Sequence, residues 1–145
     1  MTEETHQLKS IEETEAFARA FAEKTTAPCM ILLKGDLGAG KTTFARAFIR
    51  YLLNDAEALI PSPTYTLIQE YETPRGILRH FDLYRLTAPE EVYEIGWEDA
   101  LQNGIALVEW PENLGYLAPK DALTLAFSPD PASDEARTVT IWGRD

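Results

Sequence analysis

Between Lys34 and Thr43 the chain reads Lys-Gly-Asp-Leu-Gly-Ala-Gly-Lys-Thr-Thr, a run suited to gripping phosphate. It contains G-x-x-x-x-G-K-[ST], the P-loop pattern, with Gly35, Gly40, Lys41 and Thr42 at the fixed positions. Gly38 and Gly40 let the backbone wrap so that successive N–H groups, through Ala39 and on to Thr43, converge on phosphate oxygens. Lys41 brings a compact positive charge to the β and γ phosphates of a nucleotide. The Thr42 hydroxyl suits a magnesium ion bridging those phosphates. A helix opening at this point aims its N-terminus at the same anion.

Further along stand groups that could complete such a site. Pro61-Ser62-Pro63-Thr64-Tyr65 is a stiff, extended segment carrying hydroxyls. Its place after the first P-loop helix suits a switch-type contact to a γ-phosphate or its metal, or else a turn whose hydroxyls bond only backbone. In Ile77 to Tyr84 the alternation puts His80, Asp82 and Tyr84 on one face and Phe81 and Leu83 on the other. Either that polar face is exposed, or His80 and Asp82 point toward the phosphates with Asp82 near the metal. Arg85 follows and could neutralise γ-phosphate charge. Glu109 ends the apolar run Gly104 to Val108, an arrangement like a Walker B acid. It could hold magnesium through water or orient an attacking water.

The elements that must position these groups follow from periodicity. Cys29 to Leu33 and Gly104 to Val108 are short apolar runs suited to buried parallel strands. Phe44, Phe48, Tyr51 and Leu52 give one apolar face to a helix running to Leu53. Ser10-Ile11-Glu12-Glu13 reads as a capping box opening an earlier helix to about Lys24, with Ala16, Phe17, Ala20 and Phe21 on its face. The start of that helix could touch a nucleotide base. Thr66 to Tyr71 and Ile77 to Tyr84 read as a hairpin across the turn Glu72 to Gly76. Pro89 to Ile95 opens a short helix ended by Gly96, and Trp97 to Leu101 suits another helical turn. Ala122 to Phe127 and Arg137 to Trp142 read as an antiparallel pair. The fold class is therefore α/β: a P-loop type, mostly parallel sheet flanked by helices, with the hairpin and C-terminal strands as antiparallel additions. All 145 residues fit a single domain.

Hydrophobic content of 45% supports a real core, and the formal charge of −11 argues against a broad grip on nucleic acid, DNA included, or on an anionic membrane, while leaving room for a local basic patch or a basic protein partner. The single cysteine, Cys29, cannot form an internal disulfide. The acidic start lacks a secretory leader, and no apolar run is long enough to span a bilayer, so a cytoplasmic location is expected.

Gly35 to Thr43, Ser62-Pro63-Thr64-Tyr65, His80-Phe81-Asp82-Leu83-Tyr84-Arg85 and Glu109-Trp110 occur here in this order. Together they resemble the bacterial TsaE (YjeE) family, small P-loop ATPases of tRNA threonylcarbamoyladenosine synthesis. The match runs from about Ser10 to Glu112. The resemblance implies ATP and magnesium as ligands, slow hydrolysis to ADP and phosphate, and action with TsaD and TsaB, with tRNA met only through those partners. It implies that hydrolysis resets that complex between turnovers. It also implies that Gly38 to Thr43 hold phosphate, that Thr42, Glu109 and Asp82 are the magnesium candidates, that Thr64 and His80 line the γ-phosphate side, and that Ile11 touches adenine. Two other readings share the motif: a small-molecule or nucleotide kinase, and a nucleotide-gated binding module without turnover. A GTPase would carry Asn-Lys-x-Asp, which this chain lacks.

Overall fold

The computed structural model describes residues 2–36 and 38–143, so Leu37 of the expected phosphate loop lies outside the described residues. Among the described residues, seven strands form one sheet in the order β1-β7-β6-β2-β5-β4-β3. The strands are β1 (Thr2–Leu8), β2 (Cys29–Lys34), β3 (Ile68–Thr73), β4 (Gly76–Asp82), β5 (Ile105–Glu109), β6 (Leu123–Pro129) and β7 (Arg137–Gly143). The α-helices that accompany them are α1 (Ile11–Lys24), α2 (Lys41–Leu53) and α3 (Trp97–Gln102).

The centre of the sheet is parallel. β2 pairs with β5 and with β6, and β5 pairs with β4, all in the same direction. β3 joins one edge as the far arm of the expected hairpin, and β7 and then β1 extend the other edge, all antiparallel. The carboxyl ends of β2, β4, β5 and β6 therefore open on one rim, where ligands of open α/β sheets bind.

The sheet separates two cores. On one face α1 and α2 bury Ala18, Ala22, Phe44, Phe48 and Ile49 against Ile31, Leu33, Leu107 and Phe127. On the other, α3 and the 3-10 segments Pro89–Ile95 and Pro111–Leu117 bury Val92, Trp97 and Leu114 against Phe81, Leu83 and Val108. Strands covered on both faces read as unbroken apolar runs, as β5 does.

The structure departs from the expected elements most clearly at four places, besides the unexpected 3-10 segment Pro111–Leu117 and shifts of one or two residues at the ends of other strands. β1 was not expected: Thr-Glu-Glu-Thr-His-Gln shows no apolar alternation, because this edge strand is held by its backbone ladder to β7, and from Glu3 to Leu8 it buries Leu8 alone. The inner row of α1 is Thr14, Ala18 and Ala22, flanked by Phe17 and Phe21, while Ala16 and Ala20 face outward. Small residues at 18 and 22 let α1 lie close on α2. β3 starts at Ile68 rather than Thr66, since Leu67 takes a left-handed φ of 70° and its N–H donates to the Pro63 carbonyl at 2.6 Å. β4 ends at Asp82 rather than Tyr84. The α1 cap matches expectation: Ser10 Oγ accepts from the Glu13 amide at 3.1 Å, and the Glu13 carboxylate accepts from the Lys9 amide at 2.9 Å. Among the described residues, no helix is long and apolar enough to cross a membrane.

Candidate active site

β2 ends at Lys34 and the chain turns through the glycine loop into α2. Two glycines are required by geometry. Gly35 passes so close to β6 that a Cβ would lie 2.7 Å from the Phe127 carbonyl oxygen. Gly40, the residue that caps α2, has φ 112°, a region that side-chain-bearing residues avoid. Among the described residues no side chain caps this helix end, which suits its first amides to an anion.

Across from the loop, β4 and β5 run parallel with Asp82 directly beside Glu109. Both carboxylates end their strands and both are buried. Asp82 is oriented by two donors: Thr64 Oγ1 at 3.1 Å and the Tyr84 amide at 3.0 Å. Ser62 and Thr64 share a hydroxyl hydrogen bond at 2.9 Å. Glu109 Oε2 accepts from His80 Nε2 at 2.6 Å, and since an ionised carboxylate can only accept, that nitrogen carries the hydrogen.

Lys41 completes the arrangement. Its ammonium is buried, has no hydrogen-bond partner among the described residues, and sits 3.6 Å above the centre of the Trp110 ring. Burial pushes its pKa down, opposed by the charges of Glu109, Glu112, Asp82 and Asp36. Buried polar atoms are nearly always bonded, so an ammonium with no partner marks a place for an anion. Trp110 holds a left-handed φ of 59°, a strained conformation for a bulky residue, directly after Glu109.

These groups enclose a cavity of about 210 Å³ whose walls include Ile11, Gly38, Gly40, Lys41, Thr42, Thr43, Thr64, Asp82 and Glu109. Four other expected residues stand outside the wall. Gly35 and Ala39 shape the loop from behind: Ala39 is buried and its amide donates to the Asp36 carbonyl. His80 reaches the site only through Glu109. Arg85 lies over the exposed Tyr65 ring, 4.8 Å from its centre.

Ser62 joins Thr64 in the wall, as the hydroxyl-bearing segment suggests, and the structure adds wall residues that were given no role: Thr14, Trp110, Glu135 and Arg137. Arg137 bonds the Gly38 carbonyl at 2.9 Å, and its buried Nε has no partner among the described residues. The available signal was topological. An antiparallel strand following β6 must start at the rim where β6 ends, so its first residue returns to the site.

Hydroxyl and carboxylate oxygens from Thr42, Asp82 and Glu109 suit magnesium, which takes a few protein oxygens and completes its shell with water and phosphate. Among the described residues, no group of three or more His, Cys, Asp or Glu forms a self-sufficient metal cage. The donor set therefore fits a cation that arrives with phosphate.

The profile of the threonylcarbamoyl adenosine biosynthesis protein TsaE family matches residues 8–139. This chain belongs to the TsaE family. It is 47% identical to the tRNA threonylcarbamoyladenosine biosynthesis protein TsaE of Rickettsia bellii over 112 residues, covering 77% of each chain. It is 40% identical to the TsaE protein of Haemophilus influenzae over 131 residues, with 86% of this chain and 80% of the relative covered. The Bacillus subtilis TsaE protein is 34% identical, with 90% and 79% covered. The crystal structure of Bacillus subtilis YdiB aligns with a TM-score of 0.72 at 29% identity, covering 97% of this chain and 84% of that one. TsaE membership and the mixed α/β fold agree with the resemblance read from the motifs.

Proposed function

We propose that this TsaE-family protein binds ATP with magnesium, hydrolyses it slowly to ADP and phosphate, and couples that reaction to turnover of a TsaD–TsaB complex that modifies tRNA. The carrying observation is the partnerless Lys41 ammonium facing the in-register carboxylates of Asp82 and Glu109. A triphosphate supplies the missing acceptors, and a divalent cation offsets the two acids.

In this reading the glycine loop and the first amides of α2 take the phosphate tail, and Lys41 bonds the β and γ phosphates. Thr42, Asp82 and Glu109 hold magnesium, which when bound would neutralise charge gathering on the leaving phosphates. The Glu109 oxygen not taken by His80 is free to orient a water. Thr64 fixes Asp82, and Ile11 lies where a base would rest. Arg137 braces the loop from the far side. In this reading water is the phosphoryl acceptor.

The test is phosphate release measured with and without TsaB and TsaD, with tRNA modification read in the same tube. Partner-stimulated release that tracks modification supports the reading. Absence of release under both conditions, or a phosphorylated acceptor other than water, removes it.

A further inference from the structure

α2 carries a second set of contacts that the proposed chemistry does not use. Thr42, Arg46 and Arg50 recur every four residues and so share one face of the helix. Thr42 faces the cavity. Arg46 Nε donates to the Ile60 carbonyl at 3.1 Å, and Arg50 Nε donates to the Ala58 carbonyl at 2.9 Å. Both guanidinium groups are thus tied to the loop that leads into Pro61-Ser62-Pro63-Thr64.

That loop is a short lever. Ile60 is buried in the core at its near end. Pro61 and Pro63 lock two of the next backbone φ angles, so a displacement at the Ile60 carbonyl passes to Thr64 rather than being absorbed. At the far end the Leu67 amide closes back on the Pro63 carbonyl at 2.6 Å. Between these anchors the Thr64 hydroxyl sits 3.1 Å from Asp82 Oδ2, and Ser62 sits 2.9 Å from Thr64.

We infer that Arg46 is a positioning residue for the Ser62–Thr64–Asp82 wall of the site. One rigid helix then sets both sides of the cavity: it presents Thr42 directly, and through Arg46 it fixes the hydroxyls that orient Asp82. Arg50 grips the loop one step further away, at Ala58, with the buried Ile60 between it and the wall. The inference rests on the ATPase reading above and deepens it.

The test compares ATP turnover and ADP affinity in wild type, Arg46→Met, Arg50→Met, Thr64→Val and the double variant Arg46→Met/Thr64→Val. Misplacing an orienting group by a fraction of an ångström is expected to lower kcat about tenfold in Arg46→Met, with KM and ADP affinity within about twofold of wild type. Because Arg46 acts through Thr64, the double variant is expected to be no worse than Thr64→Val alone. Arg50→Met, which removes an equivalent grip, is expected to keep kcat near wild type. If Arg46→Met does not fold, Arg46→Lys, which loses the planar fork, takes its place in the same comparison. An unchanged kcat at position 46, fully additive losses in the double variant, or an equal kcat loss in Arg50→Met overturns the inference. A wild-type protein without turnover, alone and with partners, overturns the ATPase reading instead.

Discussion

Replacing Lys41 with methionine should move stability and nucleotide binding in opposite directions. The stem of Lys41 packs in the interior and only its ammonium lacks a partner. Leaving such a group unbonded costs about 2 kcal/mol. The ring of Trp110, 3.6 Å below, offsets about 1 kcal/mol of that. The lowered pKa agrees in direction, since burial outweighs the attraction of Glu109, Glu112, Asp82 and Asp36. Methionine keeps the packing and removes the charge. Lys41→Met is therefore expected to be more stable than wild type by about 1 kcal/mol without nucleotide, a rise of about 3 °C in Tm for a domain of this size. With magnesium and ADP at about a hundredfold over Kd, wild type gains about 2.7 kcal/mol by linkage and the variant gains nothing, so the order of melting inverts.

The pH dependence adds a second check. Between the lowered folded pKa of Lys41 and its unfolded value the unfolded chain binds more protons, so wild-type stability rises with pH in that window. The advantage of Lys41→Met should accordingly shrink as pH climbs through it, with full advantage below the folded pKa. The assay is thermal unfolding, with and without nucleotide, across pH. A variant that melts below wild type in the absence of nucleotide, or one still stabilised by ADP, would refute the reading of Lys41 as an ammonium waiting for phosphate.

Other outcomes follow from single contacts. Glu109→Gln should lower the hydrolytic rate about a hundredfold while ADP affinity stays within about threefold, as steady-state kinetics and calorimetry would show; equal loss of both would mean a metal-holding or structural role alone. His80→Leu removes the hydrogen bond that fixes Glu109 and should lower kcat about tenfold without altering ADP affinity, checked by phosphate release against direct binding. Thr64→Ala should blunt stimulation by the partner proteins, which a normal partner-dependent rate would contradict. Arg75→Met should destabilise the fold by about 1 kcal/mol, measured by urea unfolding, because Arg75 bonds the Ala22 and Glu23 carbonyls at the end of α1; nucleotide affinity should not change.

The parts of this molecule that were legible in the sequence are those fixed by local chemistry. The glycine loop, the α2 face through Phe44 and Phe48, the apolar β5 run ending in Glu109 and the Gly96 stop each depend on near neighbours in the chain. What was not legible depends on distant backbone. β1 has no side-chain signature, because its partner β7 lies at the other end of the chain and holds it by main-chain hydrogen bonds. The α1 row was misread by one position because alanines stand on several sides of the helix and only packing against α2 chooses among them. Arg85 and His80 sit in the right segment, yet strand end and turn send one onto Tyr65 and the other behind Glu109. Arg137 belongs to the rim only because β7 returns from where β6 stops.

The brace from Arg137 to Gly38 also bears on how the protein is made. The glycine loop leaves the ribosome early, whereas β7 emerges after every other strand of the sheet. A partly synthesised chain would own the whole motif yet lack its support. The phosphate-loop geometry would then be secured only once the closing strand has docked beside β6.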